Sequence, residues 1–202
     1  MELSRPHSDI SYSELEVFDS LKRVHTVFDV GARMEMDSST VPCILDYLEI
    51  KPKATYHLFE PNPEFASKLR TELGYRPNVI LNEFGLGDVE STLQYYPSLQ
   101  TFAGGNAWEG SEDTTFPSYH LTTLDKYCAE KGIGTISLLK MDTEGFEEKI
   151  LDGAAAMLPH IRYIQYEEWN NNERLIERLS PLFVCKDIGY RNTLCINKRY
   201  GI

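Results

Sequence analysis

The sequence predicts an α/β domain with a parallel central sheet. Short apolar runs alternate with amphipathic stretches of helical period along most of the chain. The first of these runs, "HTVFDVGA", stops at a glycine, as a strand entering a ligand-binding turn does. Several later runs stop at Asp or Glu, which in a doubly wound sheet places carboxylates along one rim.

Each element has its own signal. Leu15, Phe18, Leu21 and Val24 recur at helical spacing, so a helix is expected from Tyr12 to Val24. "HTVFDVGA" is the first strand. "SSTVPCILDYLEI" suits a helix, with Ser38 or Ser39 as cap and Pro42 in the first turn. "ATYHLFEP" is a strand stopped by Pro61, "NPEFASKLRTEL" a helix ended at Gly74, and "NVILNEFG" a third strand. The rhythm breaks from Asp88 to His120. There "STLQYYP" reads as one arm of a hairpin, and "SLQTFAGGNAWEGSEDTTFPSYH" as a long irregular loop of the lid or binding type. Alternation resumes with the helix "TTLDKYCAEKG", the strand "ISLLKMD", the helix "EEKILDGAAAML", the strand "IRYIQYEE" and the helix "NERLIERLS". "LFVCKDIG" and "NTLCINK", joined by "YRN", form a terminal hairpin.

At 202 residues the chain fits one domain, 1–202, with an N-terminal helical segment (1–24) and an insertion at 88–120. It stands either alone or as one domain of a larger glycan-processing protein. A formal net charge of −11 argues against nucleic acid and anionic membrane surfaces as partners. No apolar run is long enough to span a membrane, and the N-terminus lacks a signal-peptide pattern, so a cytoplasmic location is expected. Cys43, Cys128, Cys185 and Cys195 form no metal-type spacing and read as buried or incidental thiols of a reducing compartment. Cys185 and Cys195 would face each other across the terminal hairpin as a by-product of topology.

Several strand ends carry chemistry. Glu60 closes the second strand at the distance from the first turn that suits a ribose diol, since two carboxylate oxygens can accept from two adjacent hydroxyls. The alternative is a solvated glutamate held by the "EPNP" turn. "GARMEM" fails the dinucleotide fingerprint and no P-loop is present, which removes a nicotinamide-dependent oxidoreductase and leaves a cofactor with a ribose but no phosphate. S-adenosyl-L-methionine is such a cofactor. Asp142 and Glu144, two apart on an extended segment, read either as solvated helix-terminal acids or as groups that deprotonate a hydroxyl or help hold a divalent cation. Of Glu167 and Glu168, one should face the cleft and the other the flank. Phe102 and Trp108, like Trp169, either pack on a sugar face or anchor their loops. His120 leaves the long loop within reach of the cleft as a candidate catalytic group.

Together, "VFDVGA", "HLFEPNP", "NEFGLGD", "TTLD", "LLKMDTEGFEEKILDGA" and "IQYEE" resemble the FkbM family of S-adenosylmethionine-dependent methyltransferases, over about Thr26 to Glu168. The resemblance implies the class I, Rossmann-like methyltransferase fold: a doubly wound seven-stranded sheet, mostly parallel, with an antiparallel C-terminal strand. It implies that Asp29, Gly31, Ala32 and Arg33 line the methionine and ribose end of the cofactor. Glu60, Pro61 and Asn62 would hold the ribose, Phe84 and Gly85 flank the adenine, and Asp142 touch the cofactor. Asp142, Glu144 and Glu167 match the acidic rim where acceptor and methyl group meet, with Asp142 and Glu167 the ligands of any metal. One departure stands out: the family usually continues its first block G-A-N-x-G, whereas "RMEMDSS" lacks the second glycine and puts Arg33 at the Asn position. Family members mostly methylate hydroxyls of sugars, glycans or secondary metabolites. The expected acceptor is a glycan sugar, such as the deoxyhexose rhamnose. The alternatives are a polyketide or other small molecule, or a non-catalytic glycan- or partner-binding domain of the same fold.

Overall fold

The computed structural model describes residues 12–32, 44–96, 101–102, 118–168, 172–189 and 191–201, with 12–13, 94–96 and 101–102 as backbone only. Strands β1 (Thr26–Val30), β2 (Thr55–Phe59), β3 (Val79–Asn82), β8 (Ile136–Met141), β9 (Ile161–Glu167), β10 (Phe183–Gly189) and β11 (Asn192–Asn197) form the central sheet. Its seven strands run in the order β10-β11-β9-β8-β1-β2-β3. Only β11 is reversed, pairing antiparallel with both β9 and β10. The chain steps outward from β1 to β3, then returns to place β8 on the other side of β1. The switch point where ligands bind in such sheets therefore lies between the ends of β1 and β8.

Helices cover both faces. The first carries α1 (Tyr12–Ser20), α2 (Ile44–Ile50) and α3 (Pro63–Leu73), whose Phe18, Tyr47, Leu48, Leu69 and Leu73 pack on Val27, Leu58 and Leu138. The second carries α4 (Leu124–Lys131), α5 (Glu147–Asp152) and α6 (Asn172–Leu179), packed on Phe28, Phe59, Leu139 and Ile164. Local chemistry starts and stops these helices as expected. Asn62 accepts from the Glu64 amide with Pro63 in the first turn, and Thr123 accepts from the Lys126 amide. Gly132 closes α4 at φ +66°.

Several expectations need correction. The first helix ends at Ser20 rather than Val24, and Arg23 takes φ 58°. Leu21 and Val24 stay buried without being helical. "NVILNEFG" is not one strand. β3 stops at Asn82, and β4 (Gly85–Leu86) joins a second sheet of order β4-β7-β5-β6. β4 packs closely on β7 (Ser118–Thr122): a Cβ on Gly85 would lie 2.5 Å from Leu121 Cδ2, which would have to shift. The long segment is accordingly not all loop: β5 (Ser91–Tyr96) pairs with both β6 (Thr101–Phe102) and β7. Residues 103–117 lie outside the described residues, as do the proposed caps Ser38 and Ser39. "EEKILDGAAAML" is helical only to Asp152, because a Cβ on Gly153 would lie 2.0 Å from the Gly87 carbonyl and the chain turns away there. Finally, Cys185 and Cys195 are not separate thiols. They stand directly opposite on β10 and β11 and form a disulfide, while Cys128 is a free buried thiol.

Candidate active site

The turn after β1 is built against the turn after β8. Gly31 takes φ +81°, and a Cβ there would come within 2.1 Å of the Asp142 carbonyl. The amides of Gly31 and Ala32 both donate to the Phe59 carbonyl at the end of β2, and the Asp142 amide donates to Val30. The three strand ends are thus locked together by their own backbones. Ala32 is buried in the core on the α1 face. Arg33 and the segment to residue 43 lie outside the described residues.

Asp142 leads into a turn organised by Glu147. That carboxylate is fully buried, and its Oε1 accepts from the Thr143 amide at 3.1 Å and the Thr143 hydroxyl at 2.8 Å. The turn holds Glu144 at φ 55° with its side chain exposed.

A lysine lies at the centre of the acids. Lys140 Nζ stands 3.4 Å from Asp29 and 3.7 Å from Asp142, with its side chain only 12% exposed. Burial pulls the Lys140 ammonium down, but Asp29, Asp142 and Glu14 outweigh it and hold it above its ordinary range. The Asp29 carboxylate is therefore paired within the protein; burial raises its pKa and Lys140 opposes the rise.

Asp142 also faces Glu167. Burial comes first in pushing Glu167 up to about 7, followed by the Asp142 charge and a hydrogen bond between the two carboxyls. Arg191, 3.6 Å from Glu167, and Lys140 oppose the shift. The carboxyl pair thus has a cation on either side, Lys140 beside Asp142 and Arg191 beside Glu167. Glu168, a candidate acceptor contact by sequence, is held by the terminal hairpin. It accepts from the Thr193 hydroxyl, and its carbonyl accepts from Arg191 Nε and Nη2.

The other half of the rim centres on Glu60. That residue is buried at the end of β2, and its Oε1 accepts from the Asn62 amide at 2.8 Å. Pro61 is buried beside Gly85. Phe84 is half-buried, edge-on to Phe59 and Tyr127, and 6.2 Å from the ring of His120. The His120 side chain is exposed on β7. Phe102 lies on β6, described as backbone; Trp108 and Trp169 lie outside the described residues. Among the described residues no group of three His, Cys, Asp or Glu side chains could hold a metal ion.

Sequence reasoning missed Lys140 and Arg191. Lys140 did carry a signal, being a charge inside an apolar strand, two residues before Asp142 and so on the same sheet face. Arg191 carried none, since its place beside Glu167 depends on how the terminal hairpin returns to β9.

A sheet of this order with its acidic switch-point rim defines a class I methyltransferase. The sequence matches the family model described as "Methyltransferase FkbM domain" over residues 29–191, and the chain belongs to that family. It is 28% identical over 180 residues to the 2-O-methyltransferase NoeI of Sinorhizobium fredii (strain NBRC 101917 / NGR234), covering 80% of this chain and 70% of the relative. Its fold superposes with a TM-score of 0.55 on a crystal structure of an FkbM methyltransferase from Methylobacillus flagellatus, at 12% identity and over 89% of this chain. The chain spans only 47% of that protein's length. A putative rRNA methylase from Clostridium thermocellum shares the fold, with a TM-score of 0.53, 11% identity, and 95% and 97% of the two chains covered. No helix among the described residues is long and apolar enough to cross a membrane.

Proposed function

We propose that the protein transfers a methyl group from S-adenosyl-L-methionine to a hydroxyl of a sugar in a glycan or glycoconjugate. The observation that carries this reading is the Asp142–Glu167 carboxyl pair beside Lys140 at the switch point. The donor set fits the cofactor. Glu60 is a buried acceptor for a ribose diol, Phe84 offers an aromatic edge for a base, and the Gly31 turn brings the backbone to the crevice. When bound, the cofactor supplies a methyl group on a sulfonium sulfur, already a good leaving group. The chain's own residues align the acceptor oxygen and take its proton. Asp142 and Glu167 face each other where they can accept that proton, and Lys140 keeps positive charge beside Asp142 as the carboxyls change state. Acceptor-only carboxylates also suit sugar hydroxyls, which donate. The strong acidic balance disfavours a nucleic-acid acceptor, and a relative named as a 2-O-methyltransferase supports an oxygen acceptor.

The test is direct. S-adenosylhomocysteine should raise the melting temperature of the wild-type chain, and Glu60→Ala should remove most of that rise. Mass spectrometry should then find one added methyl group on a candidate glycan, with rhamnose-containing acceptors tried first. Asp142→Asn should lower kcat by about 10²-fold or more. No ligand-induced shift at millimolar concentration sinks the reading. Transfer to polyketides but not to sugars moves the acceptor class. With Lys140 already between Asp29 and Asp142, a chelator should leave the rate unchanged; a loss of activity would assign a divalent cation instead.

A further inference from the structure

The charged network continues beneath the rim. Asp29, Lys140 and Gln165 stand opposite one another on β1, β8 and β9, in a row otherwise flanked by Leu58 and Leu194. Three polar side chains therefore interrupt an apolar face that α1 and α2 cover. Gln165 is fully buried and donates through Nε2 to Glu14 on α1, and the Tyr47 hydroxyl on α2 donates to the same Glu14 oxygen. Glu14 is itself only 9% exposed. It precedes the span matched by the family model, which begins at residue 29.

Burying a carboxylate is costly unless hydrogen bonds and a countercharge compensate. Packing of α1 does not call for one, since Phe18 and the nearby Leu21 already bury that side of the segment. Gln165 Nε2 and the Tyr47 hydroxyl hold the carboxylate in the layer of Lys140, whose register neighbour on β9 is Gln165. There it adds a third negative charge around the ammonium.

We propose that Glu14 is a positioning residue of the methyl-transfer site: held in place by Gln165 and Tyr47, it fixes Lys140 between Asp29 and Asp142 by its charge, so that α1 completes the site from outside the family-matched span. This inference rests on the methyltransferase reading for its kinetic consequence and on geometry alone for its structural one. Two experiments on the full chain separate them.

The first is a stability cycle of Glu14→Gln, Lys140→Met and the double variant, which needs no activity. If Glu14 acts on Lys140, the double variant melts no lower than Lys140→Met alone. Additive losses overturn the proposal. The second is kinetic. Glu14→Gln, which keeps an oxygen for Tyr47, should lower kcat about tenfold and leave the acceptor KM and the S-adenosylhomocysteine affinity within about twofold of wild type. Gln165→Leu should show the same split. Unchanged kcat in a folded Glu14→Gln variant, or a change confined to KM, also overturns it. Failure of the wild-type chain to bind S-adenosylhomocysteine sinks the methyltransferase reading instead, and leaves the stability cycle to decide whether Glu14 holds Lys140.

Discussion

The two faces of the central sheet bury polar side chains in opposite ways. On the face of α4, α5 and α6 the polar pair packed on the strands is neutral, and the buried Glu147 carboxylate stays in the turn after β8. His57 Nδ1 lies 2.7 Å from the Tyr127 hydroxyl among Phe28, Phe59 and Phe84. Burial, with Lys131 adding to it, lowers the His57 pKa to about 4, and burial pushes the Cys128 thiol up to about 12. On the face of α1, α2 and α3 the polar groups are charged: Lys140 stands among Asp29, Asp142 and Glu14, with Glu167 at the rim. A neutral hydrogen-bonded pair is a cheap way to place polarity in a core. A buried ion cluster often contributes little net stability, and breaking it is expensive. The costly solution occurs at the strand ends, where the proposed transfer would take a proton from a hydroxyl.

Removing the cation should break this contrast most severely. Lys140→Met leaves Asp29, with a side chain 6% exposed, without its countercharge. A stability loss of about 3–5 kcal/mol is expected, measurable by denaturant unfolding. Asp29→Asn in the same chain should recover part of it. Recovery would show that the loss comes from an uncompensated charge; no recovery would mean that the lysine stem fills space the methionine does not.

A smaller effect separates the faces by pH. Burial and the Asp142 charge raise the folded Glu167 pKa from its ordinary 4.5 to about 7, so the folded state binds the extra proton between those values. The stability tied to that proton is full below about 4.5 and is lost as pH rises through 7. Glu167→Gln cannot titrate. It should match wild type near the acid end and exceed it above neutrality by on the order of 2 kcal/mol. Melting curves across pH 5 to 9 check this. A variant less stable than wild type at every pH would mean that the carboxyl is held by partners a glutamine cannot replace.

The alternation of strands, the reversed final strand and the acidic ends were legible because each is local: a period, a cap, a terminal residue. The ion cluster was not. Asp29, Lys140 and Gln165 are far apart in the chain and meet only through the registers of β1, β8 and β9. Glu14 is still less legible, since an acid in an amphipathic helix reads as its wet face until the sheet beneath it proves polar. The break between β3 and β4 was hidden for a related reason. The Gly85–Leu121 contact that draws the chain into a second sheet depends on a strand that returns only after the long insertion. The disulfide shows the limit of a correct register: the hairpin put Cys185 opposite Cys195, but composition pointed to free thiols.

The smallest expected effect lies on the neutral face. Burial lowers the folded His57 pKa from its ordinary 6.5 to about 4, so the unfolded chain binds the extra proton between those values. The stability this histidine supports is full above 6.5 and is lost as pH falls toward 4, the reverse of Glu167. His57→Gln keeps an acceptor for the Tyr127 hydroxyl and cannot titrate. At pH 8 it should cost about 1 kcal/mol, from imperfect packing against Phe28 and Tyr127. As pH drops below 6 the difference should shrink and then reverse, by on the order of 2 kcal/mol in all. The turnover number should stay at the wild-type value, because no charge at the Lys140 cluster changes. A His57→Gln variant that binds S-adenosylhomocysteine normally but loses turnover would remove the contrast between the faces and make the Phe28–His57–Tyr127 stack part of the catalytic apparatus.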